Sequence, residues 1–277
     1  MARVAEVINL RHVYPGGVEA LKNINLVLEQ GTKVAIIGQN GSGKTTLAKH
    51  FNGLLKPTSG KVFVSGIDTS TKSTGELSRL VGYVFQNPNH QLFSKTVKEE
   101  IEFGLKNIGL KGEALRERLL ETLDFFGLRP LAFKQPLSFS SGVRKLVALA
   151  SVYAMRPPIL ILDEPTTGQD YPGKVKIGQM IQKMADSGHT IVVITHDMNF
   201  VCSFLERVVV MAQGEIVQDG TPREIFSDYE VMDKAHIEPP QIFTLAKKLA
   251  ADGLELNALT PREMAEALVN RGLTQNG

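Results

Sequence analysis

The sequence has no tryptophan, a single cysteine at Cys202 and no long apolar run. One cysteine excludes an internal disulfide and fits a reducing compartment. A bilayer-spanning helix needs about 20 predominantly apolar residues, and no stretch approaches that length, so we expect any spanning helices to come from another chain. The first residues also lack the apolar segment of a secretory signal, and we expect no such leader.

The sequence also has no large excess of either charge, because 31 basic and 29 acidic residues leave a formal net charge of +2. Nucleic-acid-binding domains typically carry a pronounced basic excess, so we predict no nucleic-acid partner. The 277 residues, 43% of them apolar, suffice for one large domain or for one of about 200 residues with an appendage.

A glycine-rich stretch at 38–45, Gly-Gln-Asn-Gly-Ser-Gly-Lys-Thr, follows the apolar run 34–37 and precedes a helical pattern at 46–55. Its spacing is that of the phosphate loop, in the strand-then-helix context which that motif requires. Glycines let the backbone amides turn inward and form an anion cradle at a helix N-terminus. A polyphosphate is the expected ligand, with Lys44 on its β- and γ-phosphates and the Thr45 hydroxyl on Mg²⁺. The residues predicted to bind the nucleotide here are Gly38, Gln39, Asn40, Gly41, Ser42, Gly43, Lys44, Thr45 and Thr46.

Before this loop, residues 4–10 and 23–29 alternate apolar and polar side chains around a Pro-Gly-Gly turn. This alternation predicts an antiparallel flap. Tyr14 lies at its rim, where the ring could stack on an adenine or simply pack.

After the loop, aliphatic strands at 159–162 and 190–194 alternate with helical patterns, which predicts a mainly parallel sheet covered on both faces. Helical periodicity at 96–105, 112–126 and 140–155 predicts a helical insert, the subdomain at about 96–156. Ligands of such sheets collect at the carboxyl ends of the strands. The residues predicted to meet there are Gly38, Gln86, Asp163 and His196.

The last part of the chain differs, with short helical patterns at 225–235, 241–251 and 260–269 separated by prolines. We predict two domains, an ATPase domain at 1–220 and a small helical domain at 221–277 that carries no chemical site.

An Asp-Glu pair, Asp163 and Glu164, ends one apolar strand. Adjacent acids can be only a solvated corner, but beside a phosphate loop we predict that Asp163 holds magnesium and that Glu164 polarises the attacking water.

Taken together, the loop at 38–45, Gln86, the run 159–170 and His196 resemble the ATP-binding cassette (ABC) ATPases, in order across residues 4–220. The resemblance implies an α/β fold, the P-loop NTPase of ABC type, with ATP and Mg²⁺ as ligands. It also implies roles for individual residues: Tyr14 on adenine, Gln86 sensing magnesium and water, Asp170 at a dimer seam, and His196 on the γ-phosphate.

The segment after Gln86, Asn-Pro-Asn-His-Gln-Leu-Phe, is similar to energy-coupling factor ATPases of the cobalt and vitamin uptake type. That likeness implies a peripheral location at the cytoplasmic face of the cell membrane and three partners. These are a second ATPase chain, an integral membrane scaffold that docks near Asn87 to Gly104, and a separate membrane protein that binds the substrate. A solvated loop is the alternative for this segment.

One motif departs from the family. Its signature Leu-Ser-Gly-Gly-Gln aligns with residues 139–143, which retain Ser140 and Gly142 as predicted contacts to a nucleotide but carry Ser141 and Val143. The side chain of Ser141, in place of a glycine, narrows the range of accessible backbone angles. Val143 removes the polar side chain of the family's glutamine. We hypothesise that this signature serves the opposite site of a dimer poorly, which favours a heterodimer over a homodimer.

Three other functions remain open from the sequence. A soluble ABC ATPase of translation or DNA repair would share the site, although such proteins usually carry two cassettes or a coiled-coil insert. A kinase would not explain His196 or Asp170, and a non-catalytic regulator would more naturally lack Glu164.

Overall fold

The computed structural model describes residues 2–271, which form two sheets and a set of surrounding helices. The strands are β1 (Arg3–Val13), β2 (Glu19–Glu29), β3 (Lys33–Ile37), β4 (Ser59–Val64), β5 (Ile67–Asp68), β6 (Val81–Val84), β7 (Ile159–Asp163), β8 (Thr190–Ile194), β9 (Arg207–Ala212) and β10 (Glu215–Gly220). The helices are α1 (Lys44–Phe51), α2 (Thr74–Leu77), α3 (Val97–Asn107), α4 (Gly112–Phe126), α5 (Ser141–Tyr153), α6 (Tyr171–Asp186), α7 (Met198–Phe204), α8 (Pro222–Ser227), α9 (Tyr229–Ala235), α10 (Gln241–Ala251) and α11 (Pro261–Asn270).

The first sheet is the antiparallel flap, with strand order β2-β1-β4-β5. Its strands β1 and β2 are longer than the alternating stretches that predicted them, and β4 pairs with β1 as a third long member. Leu10, Leu21 and Ile24 are fully buried on its inner side. The flap therefore packs as one wall of a core and is not a solvated ribbon.

The second sheet has six strands in the order β10-β9-β3-β8-β7-β6. Pairing is parallel from β9 to β6, and β10 is the antiparallel edge strand. Side chains of β3 alternate between two apolar clusters: Val34 and Ile36 belong to the one under the flap, Ala35 and Ile37 to the one under the helices. This two-sided burial confirms the sheet type predicted from the aliphatic runs.

The helical insert consists of α3, α4 and α5. Thr96 caps α3 by accepting the backbone N–H of Glu99 at 3.1 Å, which is why that helix starts one residue later than its pattern. Residues spaced four apart, Val97, Ile101 and Leu105, are fully buried in the helical cluster.

The tail contains one error of prediction. The single helix expected at 225–235 is two helices, α8 and α9, because Asp228 leaves the helical conformation and caps α9 by accepting the N–H of Val231 at 3.1 Å. Ile225 and Phe226 join the large core of the ATPase part, whereas α10 and α11 hold a small cluster of their own. A domain division at residue 220 stays a prediction.

Within residues 2–271, none of the helices has both the length and the apolar character needed to cross a bilayer.

Candidate functional site

Four neighbouring parallel strands, β3, β8, β7 and β6, end at the same edge of the main sheet. The loops that follow them converge on a cavity of about 360 Å³. This placement follows from parallel pairing, which puts all carboxyl ends on one side. The cavity is lined by Tyr14, Val18, Glu19, Ala20, Asn40, Gly41, Gly43, Lys44, Thr45, Thr46, Gln86, Asp163, Glu164 and Ile194.

The phosphate loop depends on glycine at two tight positions. A Cβ at Gly38 would collide with the carbonyl oxygen of Met211, and a Cβ at Gly43 would lie 2.8 Å from the carbonyl oxygen of Ala20. Both glycines also have positive φ angles, 142° and 103°. The hydroxyl of Ser42 is buried there without a hydrogen-bond partner among the described residues. The loop thus has the shape, and an unpaired donor, that a phosphate ligand requires.

Lys44 lies at the base of this loop with only 8% of its surface exposed. Its amine donates to the carbonyl oxygens of Gly38 at 2.7 Å and Gln39 at 2.8 Å. Burial lowers the pKa of Lys44, and the charges of Glu164 and Asp163 oppose that shift. The amine therefore lies in a low-dielectric position where an anion would be bound strongly.

Asp163 ends β7 beside the first turn of α1. Its Oδ2 accepts hydrogen bonds from the Tyr83 hydroxyl at 2.7 Å and from the Thr45 hydroxyl at 3.4 Å. Burial raises the pKa of Asp163, the two hydroxyls lower it, and the charge of Glu164 raises it. The structure thus brings together Thr45 and Asp163, the pair predicted from the two motifs. Oxygen donors of this kind suit Mg²⁺.

Glu164 adopts an unusual backbone conformation, with a φ of 50° that non-glycine residues rarely take. Its backbone N–H donates to the carbonyl of Ile194 at 2.8 Å. Its Oε1 lies 2.9 Å from Nδ1 of His196, whose side chain is otherwise exposed. The structure therefore joins two residues that the sequence had placed after different strands, and an imidazole N–H at Nδ1 would orient the carboxylate.

Tyr14 is half-buried on the opposite wall of the cavity, and its hydroxyl lies 3.0 Å from that of Thr46. Behind it are two buried histidines: His12 contacts the Tyr14 ring edge-on, and Nε2 of His50 lies 3.2 Å from Nδ1 of His12. Burial lowers the pKa of His50 from 6.5 to about 4, with the Thr46 hydrogen bond opposing the shift. His50 is therefore uncharged at neutral pH.

Two predicted nucleotide contacts lie elsewhere. Ser140 is exposed and occupies the N-cap of α5, and Gly142 follows in the first turn of that helix. Neither residue lines the cavity around Lys44. Asp170 caps α6 by accepting the N–H of Gly173 at 2.9 Å.

The sequence did not reveal two residues that contact the site. Tyr83 donates to Asp163 as described, and burial together with the Asp163 charge raises the pKa of its hydroxyl, so it stays protonated. Lys145 donates to the loop after β7. A signal was present for Lys145: it shares a helix face with Ala148, Leu149 and Val152, all of them buried.

The chain is similar to known proteins over most of its length. The family model described as ABC transporter matches residues 21–167. The chain is 40% identical over 256 residues to a putative ABC transporter ATP-binding protein of Caldanaerobacter subterraneus subsp. tengcongensis, covering 92% of this chain but only 45% of that relative.

Two further similarities extend over most of both partners. The energy-coupling factor transporter ATP-binding protein EcfA of Methanocaldococcus jannaschii is 41% identical over 248 residues, 89% of each chain. The solved structure of CbiO1 from Clostridium perfringens, described as part of the ABC transporter complex CbiONQ, superposes with a TM-score of 0.77. It is 38% identical and covers 89% of this chain and 100% of its own. The chain therefore belongs to the ABC transporter family, as an ATP-hydrolysing ATPase of the energy-coupling factor type.

Proposed function

We propose that this chain is the ATP-binding and ATP-hydrolysing subunit of an energy-coupling factor importer, peripheral at the cytoplasmic face of the cell membrane. It would couple Mg-ATP binding and hydrolysis to the uptake of a micronutrient, a vitamin or cobalt or nickel, through membrane partners. The observation that carries the proposal is an exposed aromatic pair, Phe93 and Phe103, in the same chain as a phosphate loop that faces a carboxylate pair.

In this proposal the phosphate loop binds the polyphosphate through the backbone amides of 38–45, and Lys44 turns from its two carbonyl partners to the β- and γ-phosphates. Tyr14 packs against the adenine, and Ser42 donates its unpaired hydroxyl. Glycine at 38 and 43 lets the loop pass close to the carbonyl oxygens of Met211 and Ala20, which fixes the backbone path that would surround the phosphates.

Thr45, Asp163 and Gln86 would hold Mg²⁺, because all three line the cavity beside the loop and carry side-chain oxygens. When bound, the ion neutralises charge that develops on the phosphate oxygens. It would also offset the burial that raises the pKa of Asp163, since a neighbouring cation favours the ionised carboxyl.

Glu164 would act as the general base for the attacking water. Its carboxylate lines the cavity, and its backbone is fixed in a conformation that few residues adopt. His196 would orient the carboxylate through the 2.9 Å contact and would reach the γ-phosphate when ATP is bound.

The segment from Asn87 to Gly104 is the proposed docking surface for the membrane scaffold. Phe93 is 64% exposed and Phe103 49% exposed, and their rings meet edge-on with centroids 4.8 Å apart. Exposed aromatic clusters of this kind are typical of protein interfaces. The segment is tied to α5: Gln91 donates to the carbonyl of Ala148 at 2.9 Å, and Arg144 donates to the side chain of Asn89 at 2.7 Å. Movement of the segment would therefore reach the helix that carries the signature.

The docking surface makes a direct prediction. Isolated from solubilised membranes, the full-length chain should bring with it an integral membrane scaffold, a small membrane protein and a second ATPase. Replacing both aromatic residues, Phe93→Ser with Phe103→Ser, should reduce recovery of the scaffold at least about tenfold, since anchors of this type contribute about 2 kcal/mol or more each. Tyr229→Ser is the matched control, because Tyr229 is 58% exposed on α9.

Recovery of no membrane protein by the wild-type chain would favour the soluble ABC ATPase instead. Equal loss of scaffold in the control and in the double variant would contradict the placement of the surface.

The altered signature supports the proposed heterodimer. Ser141 is exposed as the first residue of α5, and Val143 packs against the large apolar core. The helix N-terminus thus presents two serine residues and Gly142, but it lacks the first glycine and the glutamine of the family pattern. We infer that the second ATPase supplies the intact signature for this chain's phosphate loop.

Restoring the signature tests that inference. Ser141→Gly with Val143→Gln should raise ATP hydrolysis at the opposite site of the dimer several-fold, and this chain's own site should be unchanged. The measurement is single-turnover hydrolysis in two kinds of dimer. In one kind the phosphate loop of this chain is inactivated, and in the other kind that of the second ATPase. Full hydrolysis by a homodimer of the wild-type chain, with no gain from the double variant, would refute it.

A further inference from the structure

Lys145 is a buried lysine on α5, with 8% of its surface exposed. Its ammonium group donates to the carbonyl oxygens of Glu164 at 2.9 Å, Thr167 at 2.6 Å and Pro165 at 3.3 Å. An ammonium has three N–H donors, and all three point to the loop that leaves β7. The ammonium group of Lys145 therefore links α5, the helix that carries the signature, to the loop after β7.

The residue it holds most directly is Glu164, whose left-handed φ of 50° is costly for a residue with a Cβ. Such a conformation persists only where the surroundings over-determine it. Here the peptide N–H of Glu164 is held by Ile194 at 2.8 Å and its carbonyl by Lys145. One hydrogen bond comes from a strand of the main sheet, and the other comes from α5.

We propose that Lys145 is a positioning residue for ATP hydrolysis, which keeps the Glu164 backbone left-handed and its carboxylate aimed at the nucleotide cavity. Lys145 lies one turn after Ser141 on α5. The alignment of Glu164 therefore depends on the position of the N-terminal end of α5, which carries the signature. The inference rests on the proposed role of Glu164 as general base.

The electrostatics agree with this role. Burial lowers the pKa of Lys145, and the charge of Glu164 opposes the shift. A buried ammonium is costly unless hydrogen bonds compensate it, and the three carbonyls supply them. Lys145 does not line the nucleotide cavity, so it has no direct part in binding ATP.

The test is Lys145→Met in the full-length chain, purified with the partners that accompany it. We expect kcat to fall at least about tenfold, whereas the Kd for Mg-ATP stays within about twofold. The kcat of Lys145→Gln, whose shorter side chain still has an amide donor group, should lie between those of the wild type and Lys145→Met. The matched control is Lys33→Met: Lys33 is also buried, 6% exposed, but pairs with Glu206 at 2.9 Å at the amino end of β3, away from the site. Its kcat should stay within about twofold of the wild type.

A second measurement separates positioning from general destabilisation. In a Glu164→Gln background, Lys145→Met should lower the single-turnover rate little further, because residues that act as a unit are not additive. An equal fold-loss in both backgrounds, an unchanged kcat in Lys145→Met and Lys145→Gln, or a loss of ATP affinity would each overturn the proposal. If Glu164→Gln alone leaves hydrolysis intact, it is the base assignment that fails, whatever Lys145 does.

Discussion

Glu164→Gln should lower ATP hydrolysis at this chain's site by about 10²–10⁴-fold, the range for loss of a general base. Glutamine has nearly the same shape, so the cavity and the contact with His196 at 2.9 Å can persist while the proton acceptor is lost. Mg-ATP should therefore still bind, and ATP should accumulate unhydrolysed. In the proposed dimer, unhydrolysed ATP should also hold the two chains together around it, because a ligand shifts the population toward the state that binds it better.

Two measurements check this result: single-turnover hydrolysis, and the size of the assembly with Mg-ATP present. Glu206→Gln serves as the control, because Glu206 is an exposed acid paired with Lys33 at the other end of β3. Wild-type turnover in Glu164→Gln would exclude Glu164 as the base.

Lys44→Ala should abolish measurable nucleotide binding at the phosphate loop. A charge interaction at about 4 Å with an effective dielectric constant of about 20 is worth about 4 kcal/mol, which is close to a thousandfold in affinity. The Lys44 amine is buried at the base of the loop, where its charge is poorly screened by water, and it has only to turn from two carbonyls of its own loop to the phosphates. Its removal takes away the ammonium charge that offsets repulsion between the polyphosphate and the carboxylates of Asp163 and Glu164.

The measurement is thermal unfolding with and without Mg-ATP, since a ligand that binds only the folded state raises the transition temperature. The wild-type chain should show a clear shift and Lys44→Ala none. Lys33→Ala removes another buried lysine, one far from the site, and should retain the ligand-induced shift even if its own stability is lower. An unchanged ATP affinity in Lys44→Ala would contradict the proposed cradle.

Much of the candidate site could be predicted because its motifs are local. The phosphate loop is eight consecutive residues, and the backbone conformation it needs follows from glycines at positions where a Cβ does not fit. Thr45 and Asp163 come from different motifs, but parallel strands end at one edge of a sheet, so their proximity followed from the strand pattern.

Other features could not be predicted because they depend on contacts between distant segments. Nothing near Lys145 in the sequence shows that its ammonium group reaches the carbonyl of Glu164, 19 residues later. The hydrogen bond from Tyr83 to Asp163 likewise spans 80 residues. The break between α8 and α9 was missed for another reason: a capping aspartate, Asp228, interrupts an otherwise continuous helical period.

The sequence by itself determined the phosphate loop and the parallel sheet, since short-range backbone preferences and apolar periodicity specify them. The carboxylate pair and the resemblance to the family followed from motifs of consecutive residues. Only the tertiary structure decided how Glu164 is held: its left-handed backbone, its contact with His196 and its bond to Lys145. The physical reason is that no neighbouring residue in the sequence favours the strained backbone conformation of Glu164. It exists because a strand on one side and a helix on the other each supply a hydrogen bond, and those two partners meet only in the folded chain.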